Sequence, residues 1–297
     1  MTPLLFSLAE THPLFAPLCQ GLGAEPGQLA RRRFPDGESY LRLLSEVAGR
    51  SCLVLAEFSR PDDKFLPLCF LCDTLRELGA TRVGLVAPYL CYLRQDARFR
   101  PGEALSSHSF ARLLSPRIDW LVTVDPHLHR IHRLDEIYAV PSMVVHATPL
   151  LANWLRGWQE PVLLVGPDAE SEQWVARLAA DSGQPHVVGE KVRKGDREVN
   201  VSLPELSAYR GHTALIVDDV ISSGQTVLSC LQALRRQGMV RVDCAAIHGL
   251  FADRIEDKLT RAGLRRLLTS NSIPHPSNIL DLSPLLLEPI RQWLAAG

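Results

Sequence analysis

Residues 218–226, DDVISSGQT, gather the chain's most chemically suggestive side chains into one short stretch. Asp218 and Asp219 are adjacent carboxylates suited to accept hydrogen bonds from vicinal hydroxyls of a sugar, or to meet a metal ion. Just beyond them Ser222, Ser223, Gly224, Gln225 and Thr226 offer hydroxyls and closely spaced backbone amides. Gly224 is free to take a backbone conformation denied to other residues, so a phosphate can be wrapped there. Two acids followed by an anion cradle imply a sugar phosphate. The same residues also suit an ordinary turn in which both acids are solvated and Ser222 or Ser223 caps a helix.

Other stretches carry charge in patterns that a core does not need. Arg94, Gln95, Asp96, Arg98 and Arg100 crowd into seven positions before the turn at Pro101-Gly102. That pattern is either a solvated loop or a mobile basic loop for a polyphosphate, since guanidinium forks match phosphate oxygens. Asp125, His127 and His129 follow an apolar run; His127 suits a phosphate or a nucleotide-bound magnesium ion better than zinc, because no thiolate or fixed third ligand accompanies it. Asp168 stands at another strand tip, as a helix cap or a ligand. Lys191 and Arg193 lie two apart and share one face of an extended segment, either a surface hairpin or a cationic arm that closes on a reaction centre. In RRRFPDGE, residues 31–38, Phe34 can stack on a base while Asp36 and Glu38 accept hydrogen bonds from an exocyclic amine; a charged hairpin tip is the plainer alternative.

These residues need a scaffold, and the apolar pattern supplies one. Short apolar runs at 4–8, 52–56, 83–87, 120–124, 142–145, 162–166, 214–217 and 243–247 read as buried strands. Helical spacing appears at 65–78, 104–114, 149–157, 171–181, 226–237 and 254–262. Such alternation predicts an α/β protein with mainly parallel sheets flanked by helices. A boundary near 146–149 divides the 297 residues into domains spanning 1–147 and 148–297. No internal sequence repeat is visible, yet the spacing allows a duplicated architecture.

Composition narrows the partners. Lysine plus arginine (32) nearly balances aspartate plus glutamate (33), so no global field favours nucleic acid or an anionic membrane. No apolar run approaches the length of a membrane span, and residues 1–15 read as a strand and a turn rather than a leader. The seven cysteines sit mostly in apolar segments, which suits buried thiols in the cytoplasm. The Cys69/Cys72 pair is expected to be core rather than a redox or zinc site.

Taken in order, FPDGE (34–38), APYLCYLRQDARFRPGEALSS (87–107), TVDPH (123–127), GPDA (166–169), EKVR (190–193) and VDDVISSGQT (217–226) resemble the ribose-phosphate diphosphokinase family, which makes phosphoribosyl diphosphate (PRPP). The resemblance spans nearly the whole chain. It implies two phosphoribosyltransferase-like domains in a homo-oligomer, a dimer or larger, with ATP and ribose 5-phosphate as substrates and Mg2+ as cofactor. It further implies ATP contacts at Phe34, Asp36, Glu38, Arg94, Gln95, Asp96 and His127, the first three ordinarily lent to a neighbouring subunit. Lys191, Arg193 and Arg94 match catalytic positions, and His127 and Asp168 match metal-associated ones. Asp168, Asp218, Asp219 and residues 222–226 match the ribose 5-phosphate site. Two departures stand out: AESEQ follows Asp168 where the family commonly has small residues with glycine, and Ser-Ser-Gly-Gln stands in the cradle. The alternatives are a PRPP-consuming phosphoribosyltransferase and a catalytically silent homologue.

Overall fold

The apolar runs become the central strands of two parallel sheets. The computed structural model describes residues 1–194 and 198–296, without the side chains of 192–199. The chain divides into Met1–Val145 with Leu282–Gly297, and His146–Asp281.

The first unit runs β1 (Leu4–Ser7), α1 (Phe15–Leu22), β2 (Glu25–Pro26), β3 (Leu29–Arg33), β4 (Ser39–Leu43), β5 (Ser51–Leu55), α2 (Asp62–Glu77), β6 (Arg82–Ala87), α3 (Ser106–Leu114), β7 (Trp120–Val124) and β8 (Ser142–Val145). Its six-stranded sheet has the order β2-β1-β5-β6-β7-β8, with every pairing parallel. The strands are buried on both faces, which is why they read as continuous apolar runs rather than as alternation. Gly84 is required by its neighbour: a methyl group there would lie 2.0 Å from the ring of Trp120, its partner in register.

The second unit runs α4 (Thr148–Arg156), β9 (Val162–Gly166), α5 (Glu172–Ser182), β10 (His186–Val188), β11 (Glu190–Lys194), β12 (Glu198–Ser202), β13 (Thr213–Ile221), α6 (Gln225–Arg236), β14 (Arg241–Gly249), α7 (Ile255–Arg261), β15 (Arg266–Ser270) and β16 (Asn278–Leu280). Its sheet has the order β10-β9-β13-β14-β15-β16, again parallel throughout. Position by position this repeats the first sheet, and each unit inserts an antiparallel hairpin, β3-β4 or β11-β12, at the same point in the series. In each sheet the chain reverses direction between its second and third strands, β1/β5 and β9/β13. Open α/β sheets bind ligands beyond the carboxyl ends of strands at such a reversal.

The last helix, α8 (Ser283–Ala295), belongs to the first unit, whereas the sequence reading had placed everything from 148 to 297 in the second. Packing explains the difference. A methyl group on Gly21 of α1 would lie 2.5 Å from Leu287, and the Arg291 guanidinium donates to the Gly21 carbonyl at 2.6 Å. Trp293 stacks on Trp120 with centroids 6.2 Å apart, and its carbonyl accepts from Arg82 at 2.9 Å. The N-terminal stretch is the expected strand, β1, and turn, with α1 beginning at Phe15. All seven cysteines are buried, and burial raises the Cys72 thiol far above its ordinary range, so the C-x-x-C of α2 is core. Among the described residues no helix is long and apolar enough to cross a membrane.

Candidate active site

The reversal between β9 and β13 brings three acids together. Asp168 lies two residues beyond β9, and Asp218 and Asp219 stand near the end of β13, which pairs with β9 along Thr213–Ile216. Burial, then the charges of Asp219 and Asp168, push the Asp218 carboxyl well above the usual carboxylate range. The Asp219 amide donates to Asp218 Oδ1 at 3.0 Å. A cluster of negative charge in a sheltered cleft favours a cation or a set of sugar hydroxyls.

Beyond the acids the chain turns sharply into α6. Gly224 is the N-cap residue of the helix, at φ +63°, and has no side chain with which to cap it. The cap position thus falls to Gly224 rather than to Ser222 or Ser223. The opening amides of a helix have no intrahelical acceptor and carry the positive end of its dipole, so residues 224–226 present an anion with oriented N–H groups. Gly224 is needed twice, for its positive φ and because a methyl group there would lie 2.3 Å from Ile255 Cγ1.

The AESEQ departure after Asp168 forms its own cap. Asp168 Oδ1 accepts from the Glu170 amide at 3.1 Å, and the Ser171 hydroxyl donates to the Asp168 carbonyl at 2.6 Å. Gly166 leaves room for that hydroxyl, which would lie 2.6 Å from a methyl group at this position. Asp168 Oδ2 faces Lys191, whose Nζ is 3.4 Å away. Lys191 is held there by the root of the β11-β12 hairpin, since the Gly189 amide donates to the Gly166 carbonyl at 2.8 Å and the Val201 amide to Ser229 Oγ on α6 at 2.9 Å. Arg193 belongs to β11, but its side chain lies outside the described residues.

In the first unit, the basic stretch after β6 is irregular and hydrogen-bonded to itself and to its surroundings. Glu103 gathers the amides of Phe99 and Arg100 at 2.8 and 3.1 Å, and its carbonyl accepts from Arg98 at 3.0 Å. Gln95 is anchored to the start of α3 by Ser106, whose hydroxyl donates to its side-chain oxygen at 3.0 Å. Asp96 is buried and accepts from the Arg130 amide at 2.9 Å and its guanidinium at 3.1 Å. Burial works to raise its carboxyl, yet these bonds hold it below the ordinary range. Asp96 thus braces the loop from within, a job the sequence did not show because Arg130 is distant in the chain. Arg94 is exposed.

His127 and His129, past β7, approach with Nε2 atoms 2.8 Å apart. One Nε2 must donate its hydrogen and the other accept it, so neither ring turns an Nε2 lone pair outward. The FPDGE stretch forms the tip of the β3-β4 hairpin, where Asp36 accepts from the Glu38 amide at 3.1 Å and Gly37 takes φ +94°. Phe34 is exposed and carries Arg32 over its ring at 4.2 Å, with Tyr40 edge-on. The guanidinium thus covers one face of the exposed ring in a cation–π contact.

Residues 3–116 match the family model of the N-terminal domain of ribose phosphate pyrophosphokinase, and residues 133–281 match that of the phosphoribosyl transferase domain. A ribose-phosphate pyrophosphokinase of Methanopyrus kandleri is 30% identical over 289 residues, covering 97% of this chain and 98% of that protein. One from Sulfurisphaera tokodaii is 33% identical over 266 residues, 86% of this chain and 89% of its own. The crystal structure of phosphoribosylpyrophosphate synthetase from Mycobacterium smegmatis matches with a TM-score of 0.86 at 25% identity, covering 100% of both chains.

Proposed function

The chain belongs to the ribose-phosphate pyrophosphokinase family, and from that membership we propose the following chemistry for its residues. The 1-hydroxyl oxygen of ribose 5-phosphate attacks the β-phosphorus of ATP, the bond from that phosphorus to the oxygen bridging to the α-phosphate breaks, and AMP leaves with the bridging oxygen. The hydroxyl proton passes to solvent or to a phosphate oxygen. The product is PRPP. Such a transfer depends on alignment and on neutralising charge around phosphorus, so no nucleophile from the chain is required.

The observation that carries this reading is the pairing of an acid cluster with an uncapped, glycine-led helix start at a sheet reversal. Asp218 and Asp219 orient the ribose hydroxyls, and Ser222, Ser223, Gly224, Gln225 and Thr226 hold the 5-phosphate. Lys191, with Arg193 and Arg94, neutralises charge developing on the transferred group. Gln95 contacts the nucleotide, and Asp96 keeps the loop that presents it in place. Phe34, Asp36 and Glu38 bind adenine; their exposed tip suits a neighbouring subunit's site, in keeping with a dimer or larger assembly.

Mg2+ fits this site in part. Asp168, Asp218 and Asp219 supply hard oxygen donors, and the lysine beside Asp168 marks a place where positive charge is favoured. Among the described residues no group of three metal-binding side chains is gathered tightly enough to hold an ion alone. That suits magnesium, which keeps waters and reaches proteins through one or two carboxylates and the phosphates of its substrate. We assign Asp168 to it. His127 offers a nitrogen hydrogen-bonded to His129, and fits a phosphate oxygen better than the metal. When bound, the ion offsets polyphosphate charge.

The test is nucleotide product analysis with purified protein, MgATP and ribose 5-phosphate. AMP and PRPP should appear together in equal amounts and only when both substrates are present. Absence of AMP with every divalent metal would overturn the assignment.

A further inference from the structure

Residues 250–254 link β14 to α7 and lie against the cradle. Three of them have left-handed backbones although none is glycine: Phe251 at φ +46°, Asp253 at +56° and Arg254 at +53°. A side chain makes that region unfavourable, and such residues persist only where their surroundings over-determine them. Here the surroundings are the cradle itself. The Leu250 and Phe251 amides donate to the Ile221 carbonyl at 2.9 and 3.1 Å, and the Ala252 amide donates to the Ser222 carbonyl at 2.9 Å. These bonds extend the β13-β14 ladder, which ends at Ile221 opposite Gly249, into the loop.

Side chains complete the lock. A methyl group on Gly249 would lie 2.4 Å from Phe251 Cε2, just as one on Gly224 would meet Ile255. Phe251 and Ile255 are both buried, and both pack in one cluster with Ile221 and Val227, the residues that flank the cradle on either side. The Phe251 ring also rests on His275, with centroids 4.4 Å apart. If Phe251 relaxed to ordinary φ, the Ala252 amide would turn away from the Ser222 carbonyl, and Ile255, which walls in Gly224, would move with it.

We propose that Phe251 and Ile255 are positioning residues for the phosphate of the sugar substrate, holding residues 222–224 in the shape that opens α6 uncapped toward an anion. The proposal rests on the sugar-phosphate reading of the cradle, so its test has one arm that does not. In the ligand-free protein, Phe251→Ala should speed hydrogen exchange of the amides of 250–252, which donate to the carbonyls of Ile221 and Ser222, by about tenfold, while those in the middle of α6 stay as they were. In the assay, the KM for ribose 5-phosphate should rise by about tenfold, with kcat and the KM for ATP changed by less than about twofold. Phe251→Tyr, which keeps the ring, should restore both readouts. Should Phe251→Ala fail to fold, Phe251→Leu should show the same pattern at about threefold. Unchanged exchange at 250–252, or equal rises in both KM values, would overturn the proposal. Faster exchange in a protein whose wild type shows no ribose 5-phosphate-dependent AMP release would overturn the substrate and leave the brace standing.

Discussion

Asp218 carries the least comfortable charge of the cradle. Burial and its acidic neighbours raise its carboxyl, so the folded protein binds this proton more tightly than the unfolded chain does. The stabilisation is complete below the ordinary aspartate value of about 4 and is lost as pH rises through the raised one. At neutral pH this raised carboxyl therefore works against folding. Asp218→Asn should raise the melting temperature by about 3 °C at neutral pH, with the gain vanishing in acid, and should abolish turnover. A thermal melt at two pH values checks the first part; a melting temperature lowered at neutral pH would refute it. Lys191 faces Asp168 of the same acid cluster, with its Nζ 3.4 Å from Oδ2. Lys191→Ala should lower kcat by about a thousandfold, with little change in melting temperature, because the lysine's main task falls in the transition state. Unchanged turnover would remove Lys191 from the mechanism. These residues could be named from their types and spacing. What the sequence withheld was the bracing around them: nothing about Phe251, Asp253 or Arg254 announces a left-handed backbone, because glycine is the residue that usually signals one.

Most strands and helices with continuous apolar runs were legible to within a few residues, since a buried parallel strand leaves no polar face to confuse the pattern, but β13 runs on past the expected 214–217 through both acids to Ile221. The elements that escaped share a physical reason. In α1 and α8, Pro17, Pro284 and Pro289 interrupt the spacing, and tertiary contacts rather than propensity hold both helices in place. Strand β15 begins with Arg265-Arg266 just before and within it, which reads as surface. Both guanidiniums in fact converge on Asp243 of β14, which is fully buried, at 2.8 Å each. Burial alone would raise the Asp243 carboxyl, but the two arginines hold it below its usual value. A depressed carboxylate contributes stability that is present above the ordinary aspartate pKa and is lost as pH falls through the lowered one. Asp243→Asn should therefore cost about 2 kcal/mol at neutral pH, less than for a fully buried pair because both arginines are partly exposed. Denaturant unfolding would measure it, and the loss should shrink in acid. A loss that is the same at low pH would mean that shape rather than charge holds the strand.

The duplicated strand order raises the question of whether the first unit holds a second sugar-phosphate site, and the sequence, without a visible repeat, did not pose it. Its reversal lies between β1 and β5, the counterpart of β9 and β13. There the analogous loop is filled by its own side chains. Lys64 of α2 pairs with Glu57 and donates to Ser59 Oγ at 3.0 Å, while Glu57 Oε2 accepts the Ser59 amide at 2.8 Å. The first turn of α2 also carries Asp62 and Asp63, where α6 begins with Gln225 and Thr226. Two carboxylates at a helix N-terminus satisfy the dipole and repel a phosphate, the reverse of the arrangement in the second unit. Glycine is missing as well: the residue before the helix is Pro61, where α6 has Gly224, and Arg60 takes the left-handed φ of +51°. The two units thus share a scaffold but divide the work, one keeping the cradle and the other the basic loop and aromatic hairpin. Titration calorimetry with ribose 5-phosphate alone should accordingly give one site per chain. Two equivalent sites would show that the Glu57–Lys64 pair opens readily and that the division between the units is incomplete. A stoichiometry of one, unchanged in Lys64→Ala, would place the acids of α2 rather than the ion pair as the element that keeps phosphate out.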